Sequence, residues 1–297
     1  MSPAVVNVAL LITASAIYGS VFSLNKLAAA AGWQPLQFAF AQSLLAGLAL
    51  SVVVLARREL PKPSVRLGLA CLVIGTLFVG LPITLLSHVA PHLPAAVTTL
   101  VLALSPVVTL VFAMLLGVEV FRWGAVAGIA CGLAGIAVLV MPGSSLGGES
   151  AAGWFLLALL APVMFGLGNV LSSVLRPPVT ASTAMAGGSL LGSALSLVPL
   201  LVATGLLGWP AVGPAALPPV LLASAVNAVF FVLLFEIIRR AGPTFFAQFN
   251  YLAVLAGVAW GAVLFGERPG WSFWLALALM LAGVYFATRA PAKTTRA

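Results

Sequence analysis

Apolar positions along this chain do not alternate with polar ones. They run in long blocks, as in 67–86 and 95–116, broken by short clusters of Gly, Pro, Ser and Arg. About twenty apolar residues in a helix cross a hydrocarbon core of about 30 Å. In that medium an unpaired backbone group costs several kcal/mol, so only helices and closed barrels span it. Barrel strands carry about ten residues of alternating polarity, and the blocks here are longer and uninterrupted. They predict helices at 5–29, 35–56, 67–88, 94–116, 122–141, 151–175, 179–205, 215–238, 243–265 and 270–289. The separators carry breaker chemistry, among them Pro91–Pro94, Pro177–Pro178 and Gly242–Pro243. The first block lacks the basic start of a signal peptide and reads as a true first helix.

Composition sharpens this reading. Of 297 residues, 63% are hydrophobic and 6% charged, against about a quarter charged in a soluble domain. So few charges cannot cover an aqueous surface, and the apolar excess must face lipid. The net charge of +8 does not indicate nucleic acid, because the basic residues sit in short loops and a tail rather than along a stripe. With the N-terminus cytoplasmic, the inside loops hold Arg57, Arg58, Lys62, Arg66, Arg122, Arg176, Arg239, Arg240, Arg289, Lys293 and Arg296, and the outside loops hold Lys26 and Arg268. That asymmetry places both termini in the cytoplasm. Arg outnumbers Lys ten to three beside abundant Ala and Gly, which points to a high-GC bacterial source, and the expected location is the bacterial inner membrane. Cys71 and Cys131 fall inside apolar blocks and read as packing residues.

The chain also resembles itself. Glu119 and Trp123 recur 148 positions later as Glu267 and Trp271, and Leu133-Ala134-Gly135 recurs at the same offset as Leu281-Ala282-Gly283. Tyr18-Gly19 has a counterpart in Phe165-Gly166, offset by 147. A repeat of five helices is odd, so the second copy enters the membrane from the opposite side. Inverted halves are the known basis of alternating access. The expected fold is an all-α integral membrane protein of ten helices in two inverted repeats, 1–141 and 151–289, with a linker at 142–150 and a cytoplasmic tail at 290–297.

These features resemble the EamA-type drug/metabolite transporter superfamily. The matching residues are Gly117-Val118-Glu119 followed by Trp123, Gly266-Glu267-Arg268 followed by Trp271, and Ile17-Tyr18-Gly19-Ser20-Val21-Phe22 with Lys26 near that helix's end. The resemblance covers nearly the whole chain, and its first half departs by a residue inserted between Gly117 and Glu119. It implies a central cavity between helices one to four and six to nine, with five and ten at the periphery. YddG-like amino-acid exporters are the nearest group. The implied partner is an amino acid or related metabolite in a lipid bilayer, with no cofactor, no nucleic acid, and a monomeric or weakly homo-oligomeric state.

Polar residues inside a membrane are costly and point to function. The candidates for substrate binding are Tyr18, Gln42, Thr84, His88, Thr98, Asn169, Asn227, Gln248, Asn250 and Tyr251, with Lys26 as an anion contact. The same residue types also bond helix to helix, at about 0.6 kcal/mol each, and Thr98 and Thr99 can bond back to their own helix. His88 and His92 form an exposed pair, and with no nearby Cys or Asp they make a poor metal site. Glu236 lies one turn before Arg239 and Arg240, which predicts a local pair with Arg240. No acid sits near mid-depth, so proton coupling lacks its usual relay. Gly124, Gly128 and Gly132 predict close packing by helix five, against a neighbour in the chain or a second copy.

Three other functions rank lower. A sugar-phosphate or nucleotide-sugar carrier needs basic residues in its cavity, and apart from Lys26 the basic residues lie in the loops and termini. Efflux of cationic drugs or metabolites is a further alternative. Intramembrane enzymes rank last: no Asp exists for a prenyl-transfer magnesium site, and neither His fits an HExxH pattern.

Overall fold

The computed structural model describes residues 3–117, 123–140, 151–175, 180–208, 213–246 and 249–288. All regular structure among them is helical. In chain order the helices are α1 (Pro3–Ala30), α2 (Pro35–Ala56), α3 (Val65–Val89), α4 (Ala95–Leu115), α5 (Trp123–Val140), α6 (Ala151–Ala158, resuming as Leu160–Leu175), α7 (Ser182–Ala203), α8 (Leu217–Phe246), α9 (Phe249–Phe265) and α10 (Trp271–Thr288). Seven of these, α1 to α4 and α6 to α8, are long and apolar enough to cross a membrane. Three shorter apolar stretches, Val126–Leu139, Leu252–Phe265 and Trp271–Gly283, lie in α5, α9 and α10.

Local chemistry sets several boundaries. Pro35 opens α2 at a position where its missing N–H costs nothing. Ser64 caps α3, its hydroxyl accepting from the Leu67 N–H at 3.1 Å. Gly117 and Gly266 follow the ends of α4 and α9 with φ of +69° and +63°, a left-handed conformation that glycine adopts without strain. Both glycines of the repeated turn motif therefore do the same job, despite the residue inserted after Gly117. One boundary differs from the sequence expectation: α8 runs through Gly242-Pro243 to Phe246. Proline deprives a helix of one hydrogen bond without ending it, and such interruptions are tolerated in apolar helices.

Three other prolines do break the regular ladder. Pro82 cannot donate to the carbonyl of Phe78, and the segment Thr76–Gly80 widens into a π turn in which Leu81 N–H bonds the Thr76 carbonyl. Pro106 cannot donate to Leu102, whose carbonyl takes the Ser105 N–H instead, giving a 3₁₀ turn over Val101–Leu104. Pro162 follows Ala158 by four residues, and α6 breaks at Leu159. Pro199, by contrast, leaves α7 unbroken.

The helices pack by close backbone approach. A Cβ on Gly75 would collide with the backbone of Ser189 and Ser193, and one on Gly192 with the backbone of Cys71, so α3 and α7 cross in near contact. Helix α5 packs along α10, with Gly135 against Ala276 and Met280 and Gly283 against Gly128 and Cys131. The glycine face of α5 thus finds its partner within the chain. The main pairings map onto one another when each helix is exchanged for the one five places on. Helix α1 meets α9 as α6 meets α4, α1 meets α8 as α6 meets α3, and α3 meets α7 as α8 meets α2. The α2–α7 and α5–α10 pairs map onto themselves.

Candidate functional site

The ends of α1, α3 and α7 and the starts of α2, α4, α8 and α10 form one rim of the bundle, and polar bonds tie it shut. Trp33 donates its indole N–H to the Ala216 carbonyl at 2.8 Å. Gln37 donates to the carbonyls of Leu206 and Gly208, each at 3.1 Å. Glu267 makes the tightest junction. Its carboxylate accepts from Lys26 Nζ at 2.8 Å, from the Ala95 N–H at 2.9 Å and from the Ala96 N–H at 3.0 Å. One side chain from the turn before α10 therefore caps α4 and holds the end of α1. Lys26 also lies over the Phe265 ring, 4.6 Å from its centroid.

Deeper in the bundle, a cavity of about 40 Å³ opens among Tyr18, Phe78, Leu102, Ser105, Phe165, Asn169, Phe230, Phe231, Leu234, Phe249 and Asn250. Residues of α1, α3, α4, α6, α8 and α9 meet there, and none of the lining residues carries a charge. Phe78 and Leu102 are the residues whose carbonyls Pro82 and Pro106 cannot serve, so irregular backbone occurs where it borders a cavity. The Tyr18 ring lies 4.0 Å from that of Phe230 and 5.5 Å from that of Phe249. Asn169 donates to the Thr109 hydroxyl at 3.2 Å. The Ser105 hydroxyl, 2% exposed, has no protein partner among the described residues. At about 40 Å³ the space is well below the few hundred Å³ typical of a ligand pocket.

Two pairs of lining residues stand at the repeat offsets. Tyr18 and Phe165 are 147 apart, and Leu102 and Asn250 are 148 apart.

Of the candidates read from sequence, Tyr18, Asn169 and Asn250 come together in this cavity. Gln42 and Asn227 do not line it. They meet each other between α2 and α8, Asn227 Nδ2 donating to Gln42 Oε1 at 2.8 Å and to the Ala223 carbonyl at 2.9 Å. Thr84 and Thr98 donate to carbonyls of their own helices, those of Gly80 and Pro94. His88 and His92 flank Trp154, with His92 stacked at 3.8 Å. In this conformation the anion that Lys26 meets is Glu267. Glu236 accepts from Arg240 as the spacing predicts, and also from Arg239. Gln248 and Glu119 lie outside the described residues, as does the side chain of Tyr251.

Sequence reasoning missed Ser105 and the five phenylalanines. Serine beside proline in an apolar block carries little signal, and the phenylalanines read as core. Phe165 alone had a cue, its position opposite Tyr18 in the repeat.

An apolar helical bundle with a small uncharged cavity at its centre defines a membrane-embedded protein. A sequence profile of the EamA-like transporter family matches residues 6–141 and 152–289. The chain belongs to that family, within the drug/metabolite transporter superfamily, and is a multi-pass membrane transporter. It is similar to YedA of Escherichia coli (strain K12), described as an uncharacterized inner membrane transporter, at 29% identity over 283 residues, covering 92% of this chain and 87% of YedA. The YedA proteins of E. coli O6:H1 (strain CFT073 / ATCC 700928 / UPEC) and O157:H7 match equally. One solved crystal structure shares the fold with a TM-score of 0.60, at 22% identity over 95% of this chain and 97% of the other.

Proposed function

We propose that this transporter exports small amphiphilic metabolites, amino acids foremost, across the bacterial inner membrane by alternating access and without proton coupling. The observation that carries the reading is the lining of the cavity: hydroxyl and amide groups on aromatic walls, with no charge, where six helices meet. A few polar groups on apolar walls suit a solute with an apolar body and a small polar head. A sugar phosphate, with fixed negative charge, finds no basic partner among these residues. The acids among the described residues, Glu59, Glu236 and Glu267, all lie away from the cavity lining, which favours exchange or downhill export over a proton relay.

The mechanism we assign rests on ten spanning helices in two inverted repeats, 1–141 and 151–289, with both termini cytoplasmic. Support comes from the pairing of helices under a five-helix exchange and from the lining pairs Tyr18/Phe165 and Leu102/Asn250. In this scheme the rim held by Glu267 is the outer one. In the sequence, Glu119 is the counterpart of Glu267 at the repeat offset of 148.

The aromatic lining favours a second reading, an organic cation held by ring faces. Uptake into proteoliposomes of threonine, methionine, phenylalanine, a sugar phosphate and a quaternary amine, each with and without a proton gradient, separates these readings. Saturable amino-acid flux without a gradient is the expected result. Flux of the sugar phosphate alone, or only with a proton gradient, overturns the substrate or the coupling assignment. Flux of the quaternary amine alone selects the second reading.

A further inference from the structure

Asn25 is the most conspicuous polar group that the cavity does not use. It is 1% exposed, yet neither its Oδ1 nor its Nδ2 has a hydrogen-bond partner among the described residues. Burying an amide without partners is costly, and the great majority of buried polar groups avoid that cost. Its direction follows from helical register. Asn25 is seven residues beyond Tyr18 on α1, nearly two full turns, so it lies within about 20° of the same face and about 10 Å further along the axis. Tyr18 points between Phe230 of α8 and Phe249 of α9, into the cavity. On either side of that face, Leu24 and Ala28 pack with Val220 and Ala223, and Gly19 abuts Ala256 and Gly257. The amide therefore lies on the face of α1 that Tyr18 turns to the cavity, about two turns nearer the rim that Lys26 and Glu267 close.

The same half of the bundle holds a second incompletely satisfied pair. Gln42 Nε2 and Asn227 Oδ1 are buried without partners among the described residues, although the two side chains share one bond. Three buried amides with spare bonding capacity, all on the rim side of the cavity, make this half more polar than its packing requires.

We propose that Asn25 lines the route of the solute between the cavity and the Lys26–Glu267 rim, and that it binds a head group able both to donate and to accept. The α-ammonium and α-carboxylate of an amino acid fit, the ammonium donating to Oδ1 and the carboxylate accepting from Nδ2. The identity of that head group rests on the export reading above. The place of Asn25 on the route does not.

The test uses two variants of the full chain. Asn25→Leu removes an unpaired amide for an apolar group of similar size, so the melting temperature in detergent holds or rises while amino-acid flux in proteoliposomes falls at least ten-fold. Asn25→Cys, made with Cys71→Ala and Cys131→Ala, reacts with a membrane-impermeant methanethiosulfonate at least ten-fold faster than Leu24→Cys. That neighbour is 6% exposed and is turned toward α2 and α8. Labelling no faster than at Leu24→Cys overturns the proposal. So does undiminished flux in Asn25→Leu, and so does a fall in its melting temperature, which would assign the amide to packing. Should the parent protein carry no amino acid at all, the export reading fails while the labelling comparison still decides the place of Asn25 on the route.

Discussion

Glu267→Ala should loosen the rim by an amount the geometry sets. The carboxylate serves two backbone N–H groups at the start of α4 and one ammonium at the end of α1. Losing a helix cap of this kind costs about 1 kcal/mol, and leaving a second, largely buried N–H without an acceptor adds about as much. The ion pair contributes less, about 0.5 kcal/mol, because the Lys26 side chain is 28% exposed and screened by solvent. About 2.5 kcal/mol in total corresponds to a population shift of roughly 70-fold. Glu267→Gln keeps an acceptor oxygen and should shift it about five-fold, at roughly 1 kcal/mol. Lys26→Met removes only the ion pair and should shift it about two-fold. Double electron–electron resonance between spin labels at Pro91→Cys and Arg268→Cys, with both native cysteines replaced, reads the separation of α4 from α10 directly. The expected order is Ala, then Gln, then Lys26→Met. Equal effects in all three, or an unchanged distance distribution in Glu267→Ala, would refute the assignment of the carboxylate as the tie.

Other parts of the bundle give independent checks. Gly75→Val drives a side chain into the backbone of α7, and thermal unfolding in detergent should show a loss of about 3 kcal/mol, the top of the usual range for overpacking, because backbone cannot repack. A double-mutant cycle on Gln42→Leu and Asn227→Leu should give a coupling of about 0.6 kcal/mol and at most about 1.7, with the double variant more stable than the sum of the single losses. His92→Ala removes a stacked ring from Trp154 and should cost about 1 kcal/mol by the same assay. Arg240→Ala should change stability by under about 0.5 kcal/mol, because its pair with Glu236 is solvent-exposed.

Much of the fold was legible because lipid imposes one strong rule: long apolar blocks become helices. The prolines inside those blocks were visible too, but their effects were not. Pro82, Pro106 and Pro162 each disturb the backbone upstream, whereas Pro199 does not and Pro243 lies within a continuous helix. The site was legible in part. Tyr18, Asn169 and Asn250 stood out as polar groups in apolar surroundings, and the structure gathers them. Gln42 and Asn227 stood out for the same reason and bond each other, since a buried amide signals its need for a partner without naming it. Glu267 read as part of a repeated turn motif. Its three partners are at least 171 positions away in the chain, and no spacing rule reaches that far.

The π turn at Thr76–Gly80 has a consequence for how such chains change length over evolution. A bond spanning five residues instead of four amounts to one residue more than the α-helix needs, and each residue turns the helix by about 100°. Before the turn, α3 presents Cys71 and Gly75 to α7; after it, His88 meets Trp154 of α6. A relative lacking one residue here would keep an unbroken helix and still cross the membrane, but everything beyond the gap would face a different neighbour. Single-residue insertions and deletions at this point are therefore a route to re-aiming half a helix, Phe78 and the cavity wall included, while the approach of Cys71 and Gly75 to α7 stays in place.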